Sequence, residues 1–202
     1  MTLIRAWRVW ALVLLSIGLA ACAGPGSMMQ VTAPQEAPAV KADEALVVFM
    51  RSSFVGSAIS ASVFDVTGSG EPKFIGIVSN GTKVGYPVSA GEHTFMVVSE
   101  AADFLQAKVA AGRTYYAMVT PRMGVWKARF SFRPVRGSEL GGSEFAGWNS
   151  GTQYVSNTPQ SRIWAASNAA DISQKRTSYW SAWSSKPADE RAAQTLNPED
   201  GR

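Results

Sequence analysis

The sequence predicts a mainly β protein: an antiparallel β-sandwich or small barrel of about 7–8 strands with a C-terminal helical tail. Three observations predict it. From Ala45 onward, short runs rich in Val, Ile, Phe and Tyr alternate with Gly, Asn, Ser and Pro, the texture of successive strands. Asn80-Gly81, Ala90-Gly91 and Ala111-Gly112 supply turn chemistry at the breaks. No stretch of helical period intervenes before the last third of the chain.

The elements follow in chain order. Residues 1–21 have the layout of an export signal, with Arg5 and Arg8 ahead of an apolar run from Val9 to Leu19. That run is about a dozen residues, short of the roughly 20 that a membrane-spanning helix needs. Leu19-Ala20-Ala21-Cys22 resembles the lipobox of bacterial lipoproteins, and Cys22 is the only cysteine in the chain. The resemblance implies cleavage before Cys22, with a diacylglycerol and an N-acyl chain on that residue. Ala23 after it implies transfer to the inner leaflet of the outer membrane, facing the periplasm. Residues 22–43 carry Pro25, Pro34 and Pro38 without an apolar period, which predicts a tether with an average reach of roughly 25 Å.

Strands are expected near 45–52, 58–66, 73–79, 82–88, 92–99, 104–109, 113–120 and 125–133, giving a β-domain over 44–136. Asn80-Gly81 is expected to close a two-residue type I′ hairpin, because both residues tolerate positive φ. Residues 137–202 read as a Gly-rich connection followed by an aromatic helical tail. One helix is expected over about 168–184, where Ile172, Tyr179 and Trp183 recur at helical spacing. A second is expected over 187–195, with Asp189 and Glu190 beside its positive end.

Val47-Val48-Phe49-Met50-Arg51-Ser52-Ser53-Phe54-Val55-Gly56-Ser57-Ala58, Pro87-Val88-Ser89-Ala90-Gly91-Glu92-His93-Thr94 and Gly112-Arg113-Thr114-Tyr115-Tyr116 form a set. Over about 45–133 the chain resembles a family of small bacterial lipoproteins whose β-sandwich domain is uncharacterised. The resemblance implies the fold and the compartment, and it brings no catalytic residues with it.

Composition narrows the chemistry. His93 is the only histidine, so a Ser-His-Asp arrangement or a His/Cys metal site has a single imidazole to draw on; His93 is expected as an ordinary strand-edge side chain. Asp65, Glu71, Glu100 and Asp103 lack the spacing of a calcium loop. The net charge of +4 falls to about +2 once Arg5 and Arg8 leave with the signal, without the dense basic run of a nucleic-acid binder. The expectation is therefore a non-enzymatic protein without metal or cofactor beyond the lipid on Cys22. Its expected partners are a membrane, another envelope protein and, in the alternative reading, a cell-wall glycan or small molecule stacked on aromatic rings. The candidate binding side chains are Arg51, Tyr179, Trp180 and Trp183. The expected helix lays Tyr179 and Trp183 onto the β-domain as core, or leaves part of this surface exposed to a partner, with Trp180 the best single candidate for exposure.

Overall fold

The computed structural model describes residues 27–53, 59–122 and 129–202. The export signal, Cys22 and the Phe54–Ala58 part of the family-like motif lie outside these residues, as do positions 125–128 of the last expected strand. In chain order the strands begin with β1 (Met29–Val31), β2 (Glu44–Arg51), β3 (Ala61–Asp65) and β4 (Lys73–Val78). They continue with β5 (Thr82–Ser89), β6 (Gly91–Val98), β7 (Ala102–Val109), β8 (Thr114–Arg122) and β9 (Arg129–Pro134). Two more come from the tail: β10 (Gln153–Asn157) and the two-residue β11 (Thr195–Leu196). The helices are α1 (Ser143–Ser150), α2 (Pro159–Ser167), α3 (Ala169–Ser184) and α4 (Ala188–Ala193).

The strands form two sheets, ordered β1-β10-β5-β2-β8-β9 and β11-β7-β6-β3-β4. The mainly β sandwich with helices near the C-terminus is as expected. The sheets are mixed, however, where purely antiparallel pairing was expected: β2 runs parallel to β8, β10 to β5, and β11 to β7. The reason for the first is visible in β2. Its run Glu-Ala-Leu-Val-Val-Phe-Met-Arg is almost wholly buried, so it is a central strand with both faces covered, as parallel pairing requires.

Side chains alternate along β2. Ala45, Val47 and Phe49 face the space between the sheets, where Phe49 meets Phe95 edge-on at 5.0 Å and Phe132 at 5.5 Å. Leu46, Val48 and Met50 face outward into a second cluster with Tyr116, Met118 and Phe145 of α1. On the far side of the second sheet, Phe64, Met96 and Phe104 pack against Ile172 and Trp183 of α3. Each sheet thus has an apolar inner face and a helix-covered outer face. Each large side chain so buried contributes about 1.5–3 kcal/mol relative to exposure.

Several expectations are corrected. Asn80-Gly81 does not close a hairpin within one sheet, because β4 and β5 lie in different sheets. Only Gly81 has positive φ there, at 75°, and the Thr82 amide donates to the Ser79 carbonyl at 3.1 Å. The chain is changing sheets at that point. Residues 29–43 are not a free tether: β1 pairs with β10, and Gln35 exchanges hydrogen bonds with the backbone of Tyr154. Nor does the fold divide at residue 136. The segment after it supplies β10 to the first sheet, β11 to the second, and α1 and α3 to their outer faces. The expected helices over 168–184 and 187–195 are α3 and α4; α1, α2 and the three strands β1, β10 and β11 had no counterpart in the sequence reading.

Candidate functional site

One concavity is built by α2, the start of α3 and the outer face of the second sheet. Thr158 caps α2, its Oγ1 accepting from the Ser161 amide at 3.3 Å, and Pro159 occupies the first turn where its missing N–H costs nothing. The same Thr158 hydroxyl donates to the carbonyls of Ser27 at 2.7 Å and Met28 at 3.1 Å. Asn157 donates from Nδ2 to the Ile75 carbonyl at 2.9 Å, which sets the start of α2 against β4. On the other side, Arg176 of α3 donates to the carbonyls of Val66, Gly68 and Gly70 and holds the β3–β4 loop.

Between these supports lies an open groove of about 490 Å³. Its floor is apolar: Phe64 and Phe74 from the sheet, Ala165 from α2 and Ile172 from α3. Phe74 is itself wedged between Phe64 at 5.5 Å and Trp164 at 6.0 Å. Two charges stand at the rim. Glu71 already accepts a hydrogen bond from Ser173 Oγ at 2.8 Å. Arg162 is exposed and makes no ion pair or side-chain hydrogen bond with a described residue. A groove of this size, mostly apolar and carrying one unengaged cation, has the makeup of a small-molecule site.

The side chains expected to bind are placed elsewhere. Arg51 is 0% exposed at the end of β2, with its guanidinium 4.5 Å over the Phe130 ring and donating to the Ile59 carbonyl. It faces the interior because β2 alternation puts it on the same side as Phe49, and burial pulls its pKa below the ordinary value. Arg51 therefore does not present a binding surface. Trp183 is likewise buried, at 3% exposure, and donates from Nε1 to Gln194 Oε1 at 2.9 Å. Tyr179 is half-buried against the same outer face. Trp180 alone of the four is exposed, at 37%, although one face of its ring stacks on Trp183 at 5.4 Å.

His93 stacks on Phe95 and shares a 2.8 Å hydrogen bond with the Ser89 carbonyl. Asp103 sits in a polar cluster with Gln194, Lys186 and Arg122 that fastens the tail to β7. Asp65 accepts from Tyr86 Oη at 3.2 Å and from the Thr67 amide at 2.9 Å. Among the described residues no group of three or more His, Cys, Asp or Glu is placed to hold a metal ion. Among them, too, no helix is long and apolar enough to cross a membrane.

The groove residues Phe74, Arg162 and Ala165 were missed in the sequence. The available signal was Thr158-Pro159, a capping residue followed by proline, which marks a helix start. No family model matches the chain, and no curated protein matches it.

Proposed function

We propose that this chain is an exported lipoprotein of the bacterial envelope, anchored through acyl chains on Cys22, whose folded part works by binding other envelope components and not by catalysis. The observation that carries this is the lipobox-like Leu19-Ala20-Ala21-Cys22 at the end of a signal-like segment, in a chain with no other cysteine. Two or three acyl chains anchor stably where one is marginal. The outer membrane is the proposed destination, by the resemblance that Ala23 carries.

The test is the mass of the protein extracted from membranes, run beside a Cys22→Ala variant, with chemical cross-linking of neighbours in the same cells. A lipid-sized mass increment on Cys22 and loss of membrane residence in the variant are expected. An unmodified protein that fractionates with soluble material sinks the reading.

A second reading, glycan recognition by ring stacking, is favoured only by Trp180. One ring face is committed to Trp183 and its surroundings include the edge contact with Phe104 at 5.0 Å. Titrating tryptophan fluorescence with cell-wall fragments, in wild type and Trp180→Ala, separates the two readings.

A further inference from the structure

We infer that the groove between α2 and the second sheet binds a single-chain anionic amphiphile, an acyl chain ending in a carboxylate, drawn from the adjacent membrane. The inference deepens the envelope-binding reading and rests on it for the source of the ligand. Three observations carry it. The floor of Phe64, Phe74, Ala165 and Ile172 is apolar and open, within a volume of about 490 Å³, so an alkyl chain gains burial there at no cost in buried polar groups. Arg162 stands at the rim with no partner among the described residues, while Glu71 is engaged by Ser173. Glu71 keeps its charge, since the Ser173 hydroxyl is neutral, so selection of an anionic head group falls to the unused guanidinium N–H donors of Arg162, whose planar fork matches a carboxylate.

Third, the groove lies close to the anchor. Ser27 is tied to Thr158 at the first turn of α2, and Arg162 lies one turn further along the same helix. Cys22 precedes Ser27 by five residues, a span of at most about 17 Å when fully extended, and one helical turn adds about 5 Å. A protein anchored at Cys22 thus holds the mouth of this groove within roughly 25 Å of the bilayer. Membrane amphiphiles are the apolar anions that reach it first.

The experiment uses the Cys22→Ala chain, purified free of detergent, with laurate, dodecanol and dodecylammonium below their micelle concentrations as probes in calorimetric titration. Saturable 1:1 binding of laurate is expected, tightening about fourfold per added methylene from octanoate to laurate. Laurate should bind about threefold tighter than dodecanol, as an exposed ion pair allows, and dodecylammonium should be weakest. Arg162→Glu should reverse the order of laurate and dodecylammonium, and Ala166→Trp on the exposed wall should abolish binding of both while leaving the melting temperature unchanged. Absence of saturable laurate binding, or unchanged head-group preference in Arg162→Glu, overturns the inference. The lipid-carrying wild-type protein is the further arm: if it fails to bind laurate where Cys22→Ala binds, the protein's own acyl chain fills the groove and the membrane source is overturned. Laurate binding by a chain whose Cys22 proves unmodified in the envelope sinks the anchor while leaving the site.

Discussion

At the scale of single residues, the structure sorts charged and polar groups by what holds them. Lys83 is buried under α1 with no ion-pair partner among the described residues; its ammonium donates to the Asn149 carbonyl and side-chain oxygen, both at 2.8 Å, and lies 4.7 Å over the Tyr154 ring. It caps the negative end of α1, and burial pulls its pKa down. Two tyrosines move the other way. Burial, reinforced by Asp65, pushes Tyr86 up to about 12, and burial, reinforced by Tyr116, pushes Tyr154 up to about 12. The unfolded chain releases these protons near pH 10, so the folded state binds them more tightly between the two values. Stability from the neutral phenols is complete below pH 10 and falls as pH rises through 12. Chemical denaturation between pH 9 and 12 is expected to show this decline, and Tyr86→Phe should make it shallower. An unchanged slope in that variant places the effect elsewhere.

At the scale of elements, the chain repeatedly uses glycine where another segment approaches. A Cβ on Gly85 of β5 would stand 2.6 Å from Pro38 Cδ, and one on Gly201 would stand 2.6 Å from Tyr115 Cζ. Gly85 therefore lets the 32–43 segment lie against the first sheet, where Gln35 and Thr32 bond to the Tyr154 backbone. Gly85→Ala is expected to displace that segment at a cost of about 1–3 kcal/mol, read as a lower urea midpoint and faster limited proteolysis within 32–43. Unaltered proteolysis means that Pro38 does not depend on this contact. Here the sequence reading failed for a definite reason: a proline-rich run without apolar period looks the same whether it is free or pinned by a few long-range hydrogen bonds.

At the scale of the whole molecule, the tail completes the sandwich. Arg136 donates to the carbonyls of Thr195, Ala192 and Ala193 and pairs with Asp200 at 3.0 Å. Arg202 exchanges backbone hydrogen bonds with Thr114 and lays its guanidinium over Tyr116 and Phe145. Gln194 joins Trp183, Lys186 and Asp103. Ending the chain at Ala193 removes β11, Gln194 with its hydrogen bonds to Trp183, Lys186 and Asp103, and the Arg136–Asp200 pair. The expected cost is about 4 kcal/mol or more, a fall in melting temperature of roughly 10 °C or more for a fold of this size. Differential scanning calorimetry checks it, and a melting temperature within a few degrees of the full chain means the tail is dispensable.

The features legible in the sequence are local ones. The eight strand runs of 45–133 fall close to β2 through β9 over the residues described, and the helices over 168–184 and 187–195 are close to α3 and α4, because apolar alternation, turn residues and helix charge pattern act within a few residues of one another. The tertiary structure alone decided which sheet each strand joins, and so turned Asn80-Gly81 into a crossing between sheets. It also decided that Arg51 is interior, whereas helical spacing had already turned Trp183 inward and Trp180 outward. The groove was likewise beyond reach of the sequence, since Phe64, Phe74, Arg162 and Ile172 come from four elements spread over more than a hundred residues. Propensity is a property of neighbours in the chain, whereas a concave site and a buried cation are properties of neighbours in space, fixed only when long-range packing chooses a register.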